Sequence, residues 1–215
     1  DFHFNSLLID LPGHGESVND DDGEPSINFF SKKINQLINS LDISEFSIVG
    51  HSMGGYVALN YKDIYPSKVS KIVLLNSNFW TDSIQKKKDR LRVAEIVRSN
   101  KMFFIREAIP NLFLDKVKFG ESIDKLLSEA SKMDAYDIAY SSLAIRGRND
   151  YDHLVRVLGN NLMIIQGEKD EIIPEKLMRE MVKGLDLEFR VVEKTGHMTP
   201  IEAKDDVLLL LNNYI

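Results

Sequence analysis

The stretch Val49-Gly50-His51-Ser52-Met53-Gly54-Gly55 decides how the rest of the chain is read. Before it, Phe46–Val49 is a short apolar run of strand character. After it, Met53–Tyr65 has helical periodicity, which Pro66 ends. A G-x-S-x-G sequence between a strand and a helix puts the serine on a turn too tight for bulky neighbours, so its hydroxyl stands clear of the backbone. Gly50 and Gly54 are expected to supply that room. The helix that follows points its N-terminal N–H groups at the same spot, and the Met53 N–H is the expected donor to an oxyanion forming there.

Working outward, apolar runs alternate with helical patterns, the signature of an α/β protein with a mostly parallel sheet flanked by helices. Phe4–Asp10 reads as a strand stopped by Pro12-Gly13, and Asn19–Pro25 as an acidic loop. Ser26–Leu41 reads as a helix with Ile27, Phe30, Ile34, Leu37, Ile38 and Leu41 on one face. Further strands are expected at Val69–Leu75, Leu162–Ile165 and Phe189–Val192, with a helix after Pro174 and another over Asp205–Tyr214. Residues 79–160 differ, with helical patterns at Ser83–Ser99, Met102–Ala108, Ile123–Ala130 and Tyr136–Ile145 but no strand. A block of helices between two strands of one sheet sits outside the βαβ alternation. The expected division is a core of residues 1–78 and 161–215 with an inserted helical cap at 79–160.

A serine hydroxyl is a weak nucleophile near neutral pH and needs a base, which in turn needs an orienting acid. In open α/β sheets such groups gather at the carboxyl ends of strands. His197, in Thr195-Gly196-His197-Met198-Thr199-Pro200, follows the last expected strand and is the candidate base. The loop after Leu162–Ile165 offers three acids, Glu168, Asp170 and Glu171, and its position alone does not choose between them. Asn76-Ser77-Asn78, after Val69–Leu75, offers no carboxylate.

With these residues in order, the chain resembles an α/β-hydrolase. Ser52, Asp170 and His197 stand in the order of that family's triad, and the resemblance selects Asp170 as the acid. Asp10-Leu11-Pro12-Gly13-His14-Gly15-Glu16-Ser17 is similar to the family's D-x-P-G-x-G-x-S loop. Gly167-Glu168-Lys169-Asp170 with Pro174 resembles its acid loop, and Gly196-His197 its histidine loop. Ala144–Asp150 resembles the last cap helix and return linker of capped esterases, haloperoxidase-like members and menaquinone-pathway members. The resemblance implies three earlier strands and a second oxyanion donor that have no counterpart in this sequence. It therefore implies that Phe4–Asp10 does not pair directly with Phe46–Val49.

The expected activity is hydrolysis of a small carboxylic ester or thioester, with a small-molecule acyl substrate. The rivals are a triad-bearing lyase or carbon–carbon-bond hydrolase of the menaquinone-pathway type, and a non-catalytic ligand-binding protein. A dehalogenase is disfavoured because Ser52 stands where that branch carries Asp.

Composition narrows the field further. Twenty-seven Lys and Arg against 33 Asp and Glu give a net charge of −6 over 215 residues, a poor match to a phosphate backbone, so no nucleic-acid partner is expected. The longest apolar run, Val207–Leu211, is far short of the about 20 residues a membrane span needs. With no Cys, thiolate catalysis and Cys-based zinc sites are excluded, and a cytoplasmic location is expected, with no basic-then-apolar leader in view. No two of the five His show metal-ligand spacing with carboxylates, so no metal is expected; neither Gly-rich stretch reads as a phosphate loop, and no cofactor is expected. His14 and His51 are read as loop-packing residues and His153 as a surface residue. The basic run Lys86–Arg92 is read as falling mostly on the solvated side of a helix whose apolar face is Ile84, Leu91, Ala94 and Val97, with binding of an anionic acyl or carrier group as the alternative. Trp80, Phe103, Phe104 and Phe113 are read as cap–core packing residues that also suit a pocket wall.

Overall fold

The computed structural model describes residues 3–21 and 23–215. Its centre is a four-stranded parallel sheet in the order β1 (Phe46–His51), β2 (Val69–Leu75), β3 (Leu162–Gly167) and β4 (Glu188–Val192). β2 and β3 are the inner strands, and their near-continuous apolar sequence reflects burial on both faces. The pleat sorts it: Ile72, Leu74, Leu162 and Ile164 face one side, while Val73, Leu75, Met163 and Ile165 face the other.

Helices cover both faces. On the first pack α2 (Met53–Ile64), α6 (Asp152–Leu158) and α7 (Glu175–Val182). On the second, α9 (Lys204–Tyr214) brings Val207 and Leu211. α1 (Ile27–Ser40) packs on α2 and is capped by Ser26, whose Oγ accepts from the Phe29 N–H at 3.3 Å.

The helices expected between β2 and β3 form as α3 (Ile84–Ala108), α4 (Gly120–Lys132) and α5 (Ala135–Arg146). α3 breaks at Asn100 (φ −152°, ψ 75°), whose Oδ1 accepts from Phe103 N and starts the second half, so the two shorter helical patterns were correctly separate. The two ends of this block meet at its base. Tyr151 N donates to Phe79 O at 2.8 Å, and Arg148 Nε to Trp80 O at 3.1 Å.

Phe4–Asp10 is a correction: it forms no strand, and Leu8 is 89% exposed. A strand requires a neighbour to take its N–H and C=O groups, and none of the four strands pairs with this segment. It does not pair with β1, as the resemblance implied. Among the described residues no helix is long and apolar enough to cross a membrane.

Candidate active site

Ser52 sits between β1 and α2 at φ 50°, ψ −116°, a left-handed conformation that costs an ordinary residue strain. It persists because the turn is tied on both sides. Ser52 N donates to Leu75 O at 3.0 Å, and Ser52 O accepts from Ser77 Oγ at 2.7 Å. The close approaches are at Gly50 and Gly55. A Cβ on Gly50 would stand 2.4 Å from Gly54 O, and one on Gly55 2.3 Å from Ser77 Oγ. Gly54, expected to provide room, would place a Cβ with nothing within 4 Å. The constraint is the strand–helix contact at Gly50 and the packing of Gly55 on the loop after β2.

His197 Nε2 lies 2.8 Å from Ser52 Oγ, and His197 Nδ1 lies 2.9 Å from Asp170 Oδ2. The three residues ordered in the sequence therefore meet in space. Glu168 instead accepts from Lys194 N and pairs with Lys169, and Glu171 is exposed, so the loop brings only Asp170 of its three acids to His197.

Five donors converge on Asp170. Oδ2 takes His197 Nδ1, Asn76 Nδ2 and Gln166 Nε2, and Oδ1 takes the Ile172 and Ile173 N–H groups. Burial alone would raise this carboxyl, but the hydrogen bond and charge of His197, with Asn76 and the Ile173 N–H, hold it below the usual carboxylate range. An ionised Asp170 fixes the proton of neutral His197 on Nδ1, which leaves Nε2 as the acceptor facing the Ser52 hydroxyl.

The histidine loop is held from several sides. Its Gly196 O accepts from Asn76 Nδ2 at 3.1 Å, and its Gly196 N donates to Glu202 Oε2 at 2.7 Å. The His197 and Met198 N–H groups both donate to Leu112 O, in the helical block between β2 and β3. His51 Nε2 donates to His197 O at 2.8 Å. Burial first, then the nearby His197, push the His51 imidazole down to about 4, so it stays neutral. The sequence alone reads His51 as a packing residue and does not single out Asn76, Gln166 or Glu202. The polar character of Asn76 and Gln166 directly after or within buried apolar strands was the available signal.

A cavity of 580 Å³ opens beside Ser52 and His197. His14, His51, Tyr56, Phe104, Leu112, Ile145 and Met198 contribute to its wall, as does Arg90. Of the four aromatics expected to pack between block and core, Phe104 reaches this cavity and Trp80 packs against the sheet core. Phe113 is buried and Phe103 is 56% exposed. His153 is on the surface, as expected. Met53, the expected oxyanion donor, is the first residue of α2, where N–H groups lack a partner within the helix. Among the described residues no group of three or more His, Cys, Asp or Glu is arranged to hold a metal.

Residues 1–204 match the profile of the α/β hydrolase fold. The chain is 29% identical over 205 residues to the dihydrolipoyllysine-residue acetyltransferase component of the acetoin cleaving system of Pseudomonas putida, aligning 94% of its own length but spanning only 53% of that relative. It is 25% identical over its full length to a 2-hydroxy-6-oxononadienedioate/2-hydroxy-6-oxononatrienedioate hydrolase from a Pseudomonas species, covering 78% of that protein. Among solved structures, a thermophilic esterase from Thermogutta terrifontis superposes with a TM-score of 0.86 at 27% identity, over 95% of this chain and 77% of the esterase.

Proposed function

The chain belongs to the α/β hydrolase fold family, and from that premise we propose that it is a serine hydrolase cleaving a small carboxylic ester or thioester. The observation that carries the proposal is the hydrogen-bonded chain from Ser52 Oγ through His197 to Asp170, at 2.8 and 2.9 Å, opening on the 580 Å³ cavity. Ser52 Oγ attacks the substrate carbonyl carbon while His197 Nε2 takes its proton. The Met53 N–H stabilises the oxyanion. As the carbonyl re-forms, the bond to the alcohol or thiol breaks, and the leaving group takes the proton from His197. Water, deprotonated by the same nitrogen, then repeats the attack and releases the acid and free Ser52. Asp170 keeps the imidazole in the productive tautomer throughout. Within residues 79–160, α3–α5 line the cavity and serve as the cap, while α6 packs on the sheet and belongs with the core.

The name of the structurally similar Thermogutta terrifontis protein, an esterase, supports this reading. Labelling with a fluorophosphonate probe tests it. The protein should label and Ser52→Ala should not; equal labelling of both removes Ser52 as the nucleophile.

A second reading, hydrolysis of a carbon–carbon bond, is favoured by the full-length similarity to a 2-hydroxy-6-oxononadienedioate/2-hydroxy-6-oxononatrienedioate hydrolase. Turnover of such a dienedioate without turnover of p-nitrophenyl esters would select it.

A further inference from the structure

The basic run Lys86–Arg92 divides by helix face. Arg90 lies four and seven residues before Ala94 and Val97, which are 1% and 0% exposed, so it projects from the same buried face. Ile84, expected on that face, is instead 79% exposed, and Leu91 is 40% exposed. Lys86, Lys88 and Arg92 are exposed, in line with the expectation that most of these charges are solvated, and Arg90 is the exception.

Arg90 Nε meets Asp82 Oδ2 at 3.2 Å, and the other oxygen of Asp82 takes Arg148 Nη2 at 2.8 Å. The Asp82 and Arg148 side chains are 3% and 2% exposed. Burial alone would raise the Asp82 carboxyl, but Arg148 and then Arg90 hold it below the usual range, so it is ionised. One carboxylate thus faces two guanidiniums, and one positive charge is left over. Arg90 lines the cavity that Ser52 and His197 also line. The other charged pair on that wall, Glu129 and Lys132, is self-neutralised at 2.8 Å, with both side chains more than half exposed. Among the described residues Arg90 donates a side-chain hydrogen bond through Nε alone, and neither Nη group makes one.

A guanidinium with a free fork beside an apolar wall is built to take a carboxylate through two parallel N–H bonds. We propose that Arg90 recognises a carboxylate at the far end of the acyl chain, so that the substrates are half-esters or half-thioesters of short dicarboxylic acids. The acyl part stays on Ser52 after the alcohol leaves, so it is the part the enclosed wall must hold. This deepens the serine-hydrolase reading above and rests on it.

The test compares p-nitrophenyl hydrogen adipate with p-nitrophenyl hexanoate, two acyl chains of equal length differing in the terminal carboxylate. The wild-type protein should favour the adipate in kcat/KM by about 10- to 100-fold, the range of a charge-assisted hydrogen bond. Arg90→Gln should bring that ratio close to one, and Arg90→Lys, which keeps the charge beside Asp82, should restore part of it. A wild-type ratio of one or less, or a ratio that Arg90→Gln leaves intact, overturns the proposal while esterase activity persists. Binding of adipate and hexanoate to unreacted Ser52→Ala protein gives an independent reading. A tenfold preference for adipate that vanishes when Arg90→Gln is added supports the site even if no ester is turned over, and equal binding rejects it. Loss of all ester turnover and of fluorophosphonate labelling would instead reject the serine-hydrolase reading.

Discussion

Glu202 holds Gly196: its Oε2 accepts the Gly196 N–H at 2.7 Å, while its Oε1 accepts the Leu114 N–H at the same distance. One carboxylate at the end of α8 (Thr199–Glu202) thus ties the residue before His197 to the helical block. A glutamine keeps the shape but has one acceptor for two N–H groups. Glu202→Gln should lower kcat on a p-nitrophenyl ester by about 10- to 100-fold, through small misplacement of the imidazole. Measured well below the melting temperature, a kcat within twofold of wild type would show that the clamp does not position His197.

Asp170→Asn keeps most of the hydrogen-bonding volume but turns a donor toward His197 Nδ1 and favours the wrong tautomer. Turnover should fall by roughly 10⁴, the loss seen when this change is made in a serine-protease triad. A near-normal rate in steady-state assays would move the acid role to Glu168 or Glu171.

His51 carries a pH dependence of stability. Its imidazole is held at about 4 in the folded protein, against 6.5 when free. The unfolded chain therefore binds the proton more readily, so this group's contribution is intact above about pH 6.5 and is lost as pH falls toward about 4. The loss amounts to about 3 kcal/mol at most. Urea denaturation at half-unit steps between pH 7 and 4 should show a shallower decline for His51→Gln than for wild type. Parallel curves would contradict the assignment.

The glycines around Ser52 should separate cleanly. Gly50→Ala drives a methyl into the Gly54 carbonyl, which cannot move without unwinding α2, and should destabilise by about 1–3 kcal/mol or more. Gly54→Ala meets nothing within 4 Å and sits in the first turn of a helix, where Ala is favoured by up to about 1 kcal/mol. Thermal melts of the two variants should shift in opposite directions or, at the least, only Gly50→Ala should fall.

The sheet and the meeting of Ser52, His197 and Asp170 are legible because their signals are local. β2 and β3 carry the apolar runs Ile72–Leu75 and Leu162–Ile165, Ser52 has its own turn sequence, and Asp170 and His197 follow strands closely. Phe4–Asp10 misled because an apolar run states a preference, while a strand also needs a partner, which lies elsewhere in the chain. Arg90 was hidden for a related reason. Its helix places it on the face of Ala94 and Val97, but the run of neighbouring charges masks that spacing. Asn76 reaches Asp170 across 94 positions and Glu202 reaches Leu114 across 88, and no local pattern encodes bonds of that range. The family resemblance chose Asp170 among three acids; the hydrogen bonds give the physical grounds, since only its side chain is turned inward to His197.

The helical block is fastened along several separate lines. One is its base, where Phe79 and Trp80 meet Tyr151 and Arg148; another is the seam where Leu112 O receives the His197 and Met198 N–H groups; a third joins Asp137 and Tyr140 of α5 to Asn19 and Asp21. A plate hinged along a single edge swings open like a door, but a plate fixed along two cannot swing without tearing one of them. On the serine-hydrolase reading, full opening would break the seam and unseat the imidazole with it, so a wide-open protein would be a disarmed one.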